Sequence, residues 1–158
     1  MQPAHTPQPI RGVGHIAIFV NNTAASRAFY EDVLDLQWSQ TDTPDMTPLT
    51  RMLGQSLCFM SCGDRQHHDL VLVEQFTKAG QTVPVQPDDL LHIAFVLRPG
   101  QALETIAARV QAQGQVVTEG PVFPTLQANT RAIHFRDPNG HLVEVQMPHA
   151  SSESDARS

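Results

Sequence analysis

The sequence predicts an α+β fold built from two copies of one βαβββ unit. Two apolar runs, 14–20 and 91–97, both contain His-Ile-Ala, and their histidines are 77 residues apart in a chain of 158. Each run is followed within a few residues by a segment with the apolar spacing of a helix. A polar, proline-containing linker over 77–89 separates the two halves. A repeat this long that occurs only twice indicates a pair of packed α+β units rather than a solenoid.

In the first half, local patterns predict the elements in turn. β-branched and aromatic residues favour a strand over 14–20, and Asn21-Asn22-Thr23 can cap the helix that follows over 24–36. Helical periodicity predicts that this helix buries one apolar face, made of Ala25, Phe29, Val33 and Leu36. After a Thr/Asp/Pro-rich loop at 41–48, alternation places four residues of the last strand on one face: His68, Leu70, Leu72 and Glu74. The three later strands are predicted at 36–40, 57–61 and 68–74.

The second half repeats this order. A helix over 102–113 should bury Leu103, Ile106, Ala107 and Val110, and Gly114 should end it. Strands are predicted at 90–97, 115–118, 131–135 and 141–146, with a loop at 120–129 and a turn at Asp137-Pro138-Asn139-Gly140. We expect a single domain over 12–147, with modules at about 12–76 and 90–147 and flexible ends at 1–11 and 148–158.

Composition argues against several classes of function. The formal charge is −6 with a single lysine, so no basic stripe is available for nucleic acid. No apolar run reaches the length of a membrane span, and the polar start of the chain does not have the apolar region of a signal peptide. Cys58 and Cys62 are four residues apart and, if both lie on one strand, are too far apart to bridge comfortably. We therefore expect reduced thiols and a cytoplasmic location.

Four motifs give the chain a resemblance to a known family. They are Gly-His-Ile-Ala at 14–17, Ala-Phe-Tyr-Glu-Asp-Val-Leu-Asp-Leu at 28–36, Leu-His-Ile-Ala at 91–94 and Phe-Arg-Asp-Pro-Asn-Gly-His-Leu-Val-Glu-Val at 135–145. Over residues 12–147 the chain resembles the vicinal oxygen chelate superfamily, which includes glyoxalases, fosfomycin-resistance proteins, epimerases and extradiol dioxygenases. The resemblance implies paired βαβββ units whose curved sheets enclose a metal cavity.

The resemblance also implies three metal ligands, which fall on His15, His92 and Glu144. Two neutral imidazoles and one carboxylate form a facial triad that leaves positions open for substrate and for O₂ or water. The alternative is that the histidines are ordinary core residues and Glu144 is an edge carboxylate. Against this alternative, a carboxylate flanked by Val143 and Val145 is costly to bury without a partner.

A fourth ligand position distinguishes members of the family. Overlaying 142–145 on 70–73 makes Leu72 the counterpart of Glu144, and leucine cannot coordinate a metal. Glyoxalases and epimerases of the family usually carry Glu or Gln at that point. Three protein ligands are typical of Fe(II) oxygenases and also of Mn(II) thiol transferases of the fosfomycin type. Glu74, one pleat further along, is an alternative fourth ligand if the strand register shifts.

Two further histidines are candidate catalytic residues. The stretch 62–70 resembles the extradiol dioxygenase segment with a His-His pair, whose second member, here His68, is the acid–base residue. An imidazole with a pKa near neutrality can take a proton from a bound catechol and return it later. His134 stands where those enzymes carry a tyrosine, and it either faces the cavity or lies on the outer surface. A supporting histidine of the family is replaced by Thr125, Leu126 and Gln127, and His141 is expected to be an exposed turn residue.

These observations favour an Fe(II)-dependent, single-domain extradiol-type dioxygenase that cleaves a catechol-like aromatic diol with O₂. The first alternative is a non-redox glyoxalase-, epimerase- or thiol-transferase-like enzyme that uses Mn(II), Ni(II), Zn(II) or Co(II) in the same triad. The second is a small-molecule binding or resistance protein without turnover, which an intact triad disfavours. The expected partners are a small-molecule substrate and, as the resemblance implies, a second copy of the chain in a homodimer.

Overall fold

A computed structural model describes residues 13–44, 46–63, 67–86, 91–120 and 131–148. Most of the expected loop at 120–129 and nearly all of the two expected flexible ends lie outside these residues. The strands are β1 (Ile16–Phe19), β2 (Gln37–Asp42), β3 (Gln55–Ser61), β4 (Leu70–Gln75), β5 (Ile93–Val96), β6 (Thr118–Glu119), β7 (Ala132–Arg136) and β8 (Leu142–Gln146). The helices are α1 (Thr23–Leu34), α2 (Pro48–Leu53) and α3 (Leu103–Ala112).

The strands form two four-stranded sheets with the same internal order. The first sheet is ordered β1-β4-β3-β2 and the second β5-β8-β7-β6. In each, the first strand of the half pairs in parallel with the last, and the other pairs are antiparallel. The predicted α+β fold of paired βαβββ units is therefore confirmed. The sequence pattern predicts a loop over 41–48 and no helix after it, whereas the structure contains α2.

Helix α2 begins just where that loop was predicted to end. Thr47 and Thr50 form a reciprocal capping box, and Pro48 occupies the first helical turn, where its missing N–H costs nothing. Gly54 ends the helix in a left-handed conformation at φ 61°. Six residues are too few to produce a visible apolar period, so pattern reading overlooks such a helix.

One apolar core lies on the helix side of both sheets. From α3 it receives Leu103, Ile106 and Val110, as the periodicity predicts. In α1 the prediction is wrong for Ala25, which is exposed, because the buried face is rotated toward Ser26 and Tyr30. This rotation has a physical reason, since both of these side chains bond to polar groups of the second half.

The two faces of each sheet have different neighbours. Ile18, Leu72 and Met60 face the helices and belong to the core, whereas the alternate residues of the same strands face away from it. We call the side of each sheet that faces away from the helices its open face.

The turn between β7 and β8 joins the two halves. Asn139 Oδ1 accepts from the backbone N–H of Asn21 at 2.8 Å, and its amide nitrogen donates to Ser26 at 3.0 Å. The Tyr30 hydroxyl donates to Asp137 Oδ2 at 3.1 Å. Burial, with the Asp137 charge, raises the pKa of Tyr30 well above its ordinary value. We call residues 137–141 the junction turn.

His141 completes the junction turn. Its Nε2 lies 2.7 Å from the carbonyl oxygen of Phe19, and the residue is only 3% exposed. The expectation that His141 is exposed is therefore wrong, because its partner lies 122 positions away in the sequence. None of the helices in the described parts of the chain is long and apolar enough to cross a membrane.

Candidate metal and substrate site

The two repeated histidines lie immediately before the first strand of each sheet. His15 precedes β1 and is exposed, and His92 precedes β5 and is half-buried. Alternation places each histidine on the side of its strand opposite the core residues Ile18 and Ile93. The His15 ring contacts His68 on the open face of the first sheet, and continued alternation predicts the same side for His92 on the second sheet.

Glu144 lies in the middle of β8 and is 5% exposed. Its neighbours Val143 and Val145 point into the core, so the carboxylate belongs to the open face of the second sheet. It pairs with Ala94 on β5, two residues after His92. His92 therefore lies just before the strand beside Glu144, two positions away from it in register.

The register of the strands changes the counterpart of Glu144. Ile16 pairs with Leu70 in the first sheet and Ile93 pairs with Val143 in the second, so Glu144 corresponds to Val71. The overlay that made Leu72 its counterpart is wrong by one residue, and Leu72 is fully buried in the core. Valine cannot coordinate a metal either, so the fourth ligand position still holds an apolar side chain.

The carboxylate of Glu74 is bonded at the start of helix α1. Its Oε2 accepts from the Thr23 backbone N–H at 3.0 Å and from the Thr23 hydroxyl at 3.2 Å. Its Oε1 accepts from the Thr82 hydroxyl at 3.0 Å. A carboxylate held at the start of α1 also interacts favourably with the helix dipole. The geometry thus assigns Glu74 to the helix terminus and not to a metal shell.

His68 lies beside His15. Their ring centroids are 4.7 Å apart, and the His68 ring also contacts Phe59 edge-on at 4.9 Å. The prediction of a strand over 68–74 is wrong for His68, because β4 begins at Leu70. Burial, with the neighbouring His15 and His67, lowers the pKa of His68, so its neutral form is favoured. The Nδ1 atoms of His67 and His68 lie 3.0 Å apart.

His134 faces the same side as Glu144. The two residues are cross-strand partners in the β7–β8 pair, and the flanking Ile133 and Phe135 are in the core. His134 Nδ1 lies 3.0 Å from the carbonyl oxygen of Gly120. If Nδ1 donates this bond, Nε2 is the nitrogen left to act on a ligand.

The donor set suits a divalent metal. His15, His92 and Glu144 supply two imidazoles and one carboxylate, the combination found in facial-triad metal sites. Within the described part of one chain, however, no three His, Cys, Asp or Glu side chains lie close enough together to hold a metal ion. The second sheet brings two of the three donors to adjacent strands, and the third lies on the first sheet.

Cys62 lies at the boundary between the two halves. Its backbone N–H donates to Asp69 Oδ2 at 2.7 Å, and its carbonyl accepts from Arg98 of the second half at 2.7 Å. Burial, together with the Asp69 charge, raises the pKa of the thiol to about 11. Cys58 and Cys62 are both unpaired, in agreement with the expectation of free thiols.

Sequence reasoning did not identify the row of residues that crosses the first open face. Val71 pairs with Ala17 on one side and with Phe59 on the other, which forms a row across three strands. The equivalent row of the second sheet is Ala94, Glu144 and His134. Aligning the halves on their histidines and counting along the paired strands, rather than matching similar letters, would have found this correspondence.

Comparisons with known proteins agree with the fold and the motifs. The family model of the glyoxalase/bleomycin resistance protein/dioxygenase superfamily matches residues 12–145. A search of curated protein sequences gives no match.

Three solved structures are similar in fold. A glyoxylase/bleomycin resistance protein/dioxygenase domain from Frankia sp. EAN1pec has a TM-score of 0.66 at 18% identity, covering 90% of this chain and 95% of that one. The fosfomycin resistance protein FosX from Listeria monocytogenes, complexed with Mn(II) and sulfate, has a TM-score of 0.56 at 20% identity, covering 89% and 95%. A lactoylglutathione lyase from Agrobacterium tumefaciens has a TM-score of 0.57 at 22% identity, covering 89% and 96%.

Proposed function

This chain belongs to the glyoxalase/bleomycin resistance protein/dioxygenase superfamily, and we propose that it is a metal-dependent enzyme of the extradiol dioxygenase type. The substrate is a small catechol-like diol, and O₂ is the second substrate. His15, His92 and Glu144 hold Fe(II), which supplies Lewis acidity and electron transfer when bound. The protein's own residues bind the diol, orient it and move its proton.

The observation that carries this proposal is the position of His68. Its ring lies 4.7 Å from that of His15, so a diol held at the triad would have a neutral imidazole beside its oxygens. The Phe59 ring fixes His68 from another side at 4.9 Å. His68 accepts the proton of a diol hydroxyl and returns it later in the reaction, as general acid–base catalysis requires.

His134 is the second catalytic residue in this proposal. It stands next to Glu144 across the β7–β8 pair, and its Nδ1 contact with Gly120 orients the ring. Because Nδ1 donates to the Gly120 carbonyl, Nε2 donates to a substrate oxygen only in the protonated imidazolium form, whereas in the neutral ring it accepts a hydrogen bond from a substrate hydroxyl. The role is that of the tyrosine carried at this point by the dioxygenases that the chain resembles.

We further propose that the protein acts as a homodimer in the cytoplasm, with the triad completed between copies. The described residues of one chain do not gather all three donors. Apolar side chains on β1 and β5, the edge strands nearest the triad histidines, are exposed: Ile16 by 41%, Phe19 by 50% and Val96 by 59%. Exposed apolar residues along sheet edges are typical of association surfaces.

Mixing inactive variants tests the shared site. His15→Ala and Glu144→Gln each remove one ligand, so each homodimer should be inactive. If His15 of one copy works with Glu144 of the other, a mixed dimer contains one intact site, and mixing restores part of the activity. No restoration after verified subunit exchange would show that each site is built within one chain.

A non-redox enzyme is the second candidate function. It is favoured by the FosX structure with Mn(II) and by the lactoylglutathione lyase, both of which share the fold. A triad of two histidines and one carboxylate accepts Mn(II), Ni(II), Zn(II) or Co(II) as well as Fe(II).

Anaerobic metal analysis with an oxygen electrode separates the two functions. Dioxygenase function predicts Fe(II) binding and O₂ uptake with a panel of catechols, and His68→Gln should abolish the uptake while the iron remains bound. Tight Mn(II), Ni(II) or Zn(II) binding without O₂ uptake on any diol would overturn the dioxygenase proposal in favour of the non-redox one.

A further inference from the structure

The open faces of the two sheets carry corresponding rows with different chemistry. In the second sheet the row reads Ala94, Glu144 and His134, which places two polar donors beside one small residue. The same positions of the first sheet are Ala17, Val71 and Phe59. The first row is therefore apolar at the two positions where the second row carries polar donors.

We propose that the apolar row of the first sheet seats the uncharged hydrocarbon ring of the substrate, and that Ala17 sets the size limit of that seat. This inference rests on the proposed function and names its substrate class: a single-ring diol that is unsubstituted or carries a small alkyl group.

The shape of the row suits a flat ring. Strands in a sheet are spaced by about 4.8 Å, so the backbones of β1 and β3 flank β4 at a separation of roughly 10 Å. Val71 between them is 4% exposed and forms the floor, and Phe59 is half-buried and forms one wall. Ala17 is exposed and has only a methyl group, so it adds little bulk beside the floor.

The surroundings of the row indicate which part of a substrate it accepts. His15 and His68 lie at one end, where the oxygens of a diol would meet the triad and the base. Phe19, two residues beyond Ala17 on β1, is 50% exposed at the other end. Aromatic rings pair well edge-on or offset, so Phe59 and Phe19 favour an aromatic body.

The charges of the side chains around the row narrow the class of substrate further. The described residues that line the row on this face, or that pair beside it, include no lysine and no arginine. Phe19, Leu57 and Val73 are apolar, and the histidines carry no permanent positive charge. A carboxylate on the ring would lose its water without gaining an ion pair, which is unfavourable. The row thus selects against anionic rings.

Binding to metal-free protein tests this inference without relying on turnover. The probes are catechol, 4-methylcatechol and 3,4-dihydroxybenzoate, followed by NMR on the ring signals of His68 and Phe59. We expect the first two to shift these signals and the benzoate to bind at least several-fold more weakly. Equal binding of the benzoate would overturn the charge argument.

Variants at the two matched alanines test the position of the seat. Ala17→Leu should weaken binding of 4-methylcatechol by about tenfold or more, since overfilling a fitted site is costly. Ala94→Leu, at the equivalent position of the second sheet, should leave the affinity for 4-methylcatechol within about twofold of that of the original protein. Because both alanines are exposed, the melting temperature should report intact folding in each case. An equal loss of 4-methylcatechol binding in both variants, or a loss only in Ala94→Leu, would mean that the ring binds elsewhere.

Oxygen uptake by the iron-loaded enzyme separates failure of the inference from failure of the proposed function. If metal-free binding follows the pattern above and no diol drives O₂ uptake, the function is wrong and the seat stands. If catechols drive O₂ uptake and Ala17→Leu leaves KM unchanged, the function stands and the seat is wrong.

Discussion

The first and second sheets share their strand order and the apolar character of their helix-facing side, and they differ on their open faces. Val71 and Phe59 in one correspond to Glu144 and His134 in the other. The core side of both sheets must exclude water, which keeps it apolar in each half. The open face has no such requirement, so the repeated framework can carry different chemistry in its two halves.

A second pair of corresponding residues, His68 and His141, also differs between the two halves. His68 and His141 both lie two residues before the positions that pair with Ile16 and Ile93. His68 contacts His15 and Phe59 on the open face, whereas His141 is buried and bonds the Phe19 carbonyl. Equivalent histidines thus have a proposed chemical role in one half and a structural role in the other.

The largest expected effect comes from Glu144→Val, which gives the second row the valine that the first row carries as Val71. Glu144→Val removes the carboxylate ligand, so we expect metal affinity to fall by at least about 100-fold, measured by anaerobic calorimetry with Fe(II) or Mn(II).

Glu74→Gln is the matched control, since it also neutralises a buried carboxylate. It should lower the free energy of unfolding by roughly 1 kcal/mol through weaker bonds to Thr23 and leave metal affinity unchanged. If Glu144→Val bound metal like the original protein, the assignment of the triad would be wrong.

The second prediction concerns His68. His68→Gln removes the proposed base, and kcat should fall by about 10²–10⁴, measured as O₂ uptake with saturating catechol. Because the ring lies on the open face, unfolding free energy should change by no more than about 0.5 kcal/mol. A variant that kept its kcat would contradict the role given to His68.

The third prediction concerns its counterpart. His141→Ala leaves a cavity and an unbonded Phe19 carbonyl, so we expect a loss of about 2–4 kcal/mol in unfolding free energy, measured by urea denaturation. Gln113→Ala, on the exposed end of α3, is the control and should cost little. Turnover per folded molecule should be retained in His141→Ala; if turnover fell while stability held, the two histidines would not differ as proposed.

The smallest predicted effect tests the boundary between the halves. With a pKa of about 11, Cys62 should be alkylated slowly at pH 8, and the rate should rise with pH into the range above 10. Asp69→Asn removes a negative charge that raises this pKa, so alkylation at pH 8 should become several-fold faster, as followed by mass spectrometry. An unchanged rate would mean that burial alone sets the thiol's pKa.

Local pattern was enough to predict the fold, and long-range pairing was needed for the site. The His-Ile-Ala repeat and the helical spacing predicted two βαβββ units because each signal extends over many residues. Matching 142–145 to 70–73 by similar letters erred by one residue, since backbone pairing, which letters do not encode, sets the register. This one-residue error makes Leu72 in the core the counterpart of Glu144, whereas the paired strands make it Val71 on the open face.

The partners of polar residues were the least visible in the sequence. Periodicity marked Ala25 as buried because apolar spacing cannot recognise Ser26, whose partner Asn139 lies 113 positions away. His68 lies beside His15, and the strand predicted to contain it begins two residues later. Side chains outside regular strands, such as His68, are placed by tertiary contacts rather than by alternation.

The junction turn also has a consequence for the order of events during synthesis. The chain is made from its N-terminus, so β1 and α1 leave the ribosome well before residues 137–141 exist. Until then the Tyr30 hydroxyl, the Ser26 side chain and the Phe19 carbonyl have only water or transient partners. The bonds between the halves at the junction turn can therefore form only after the last hairpin has been made.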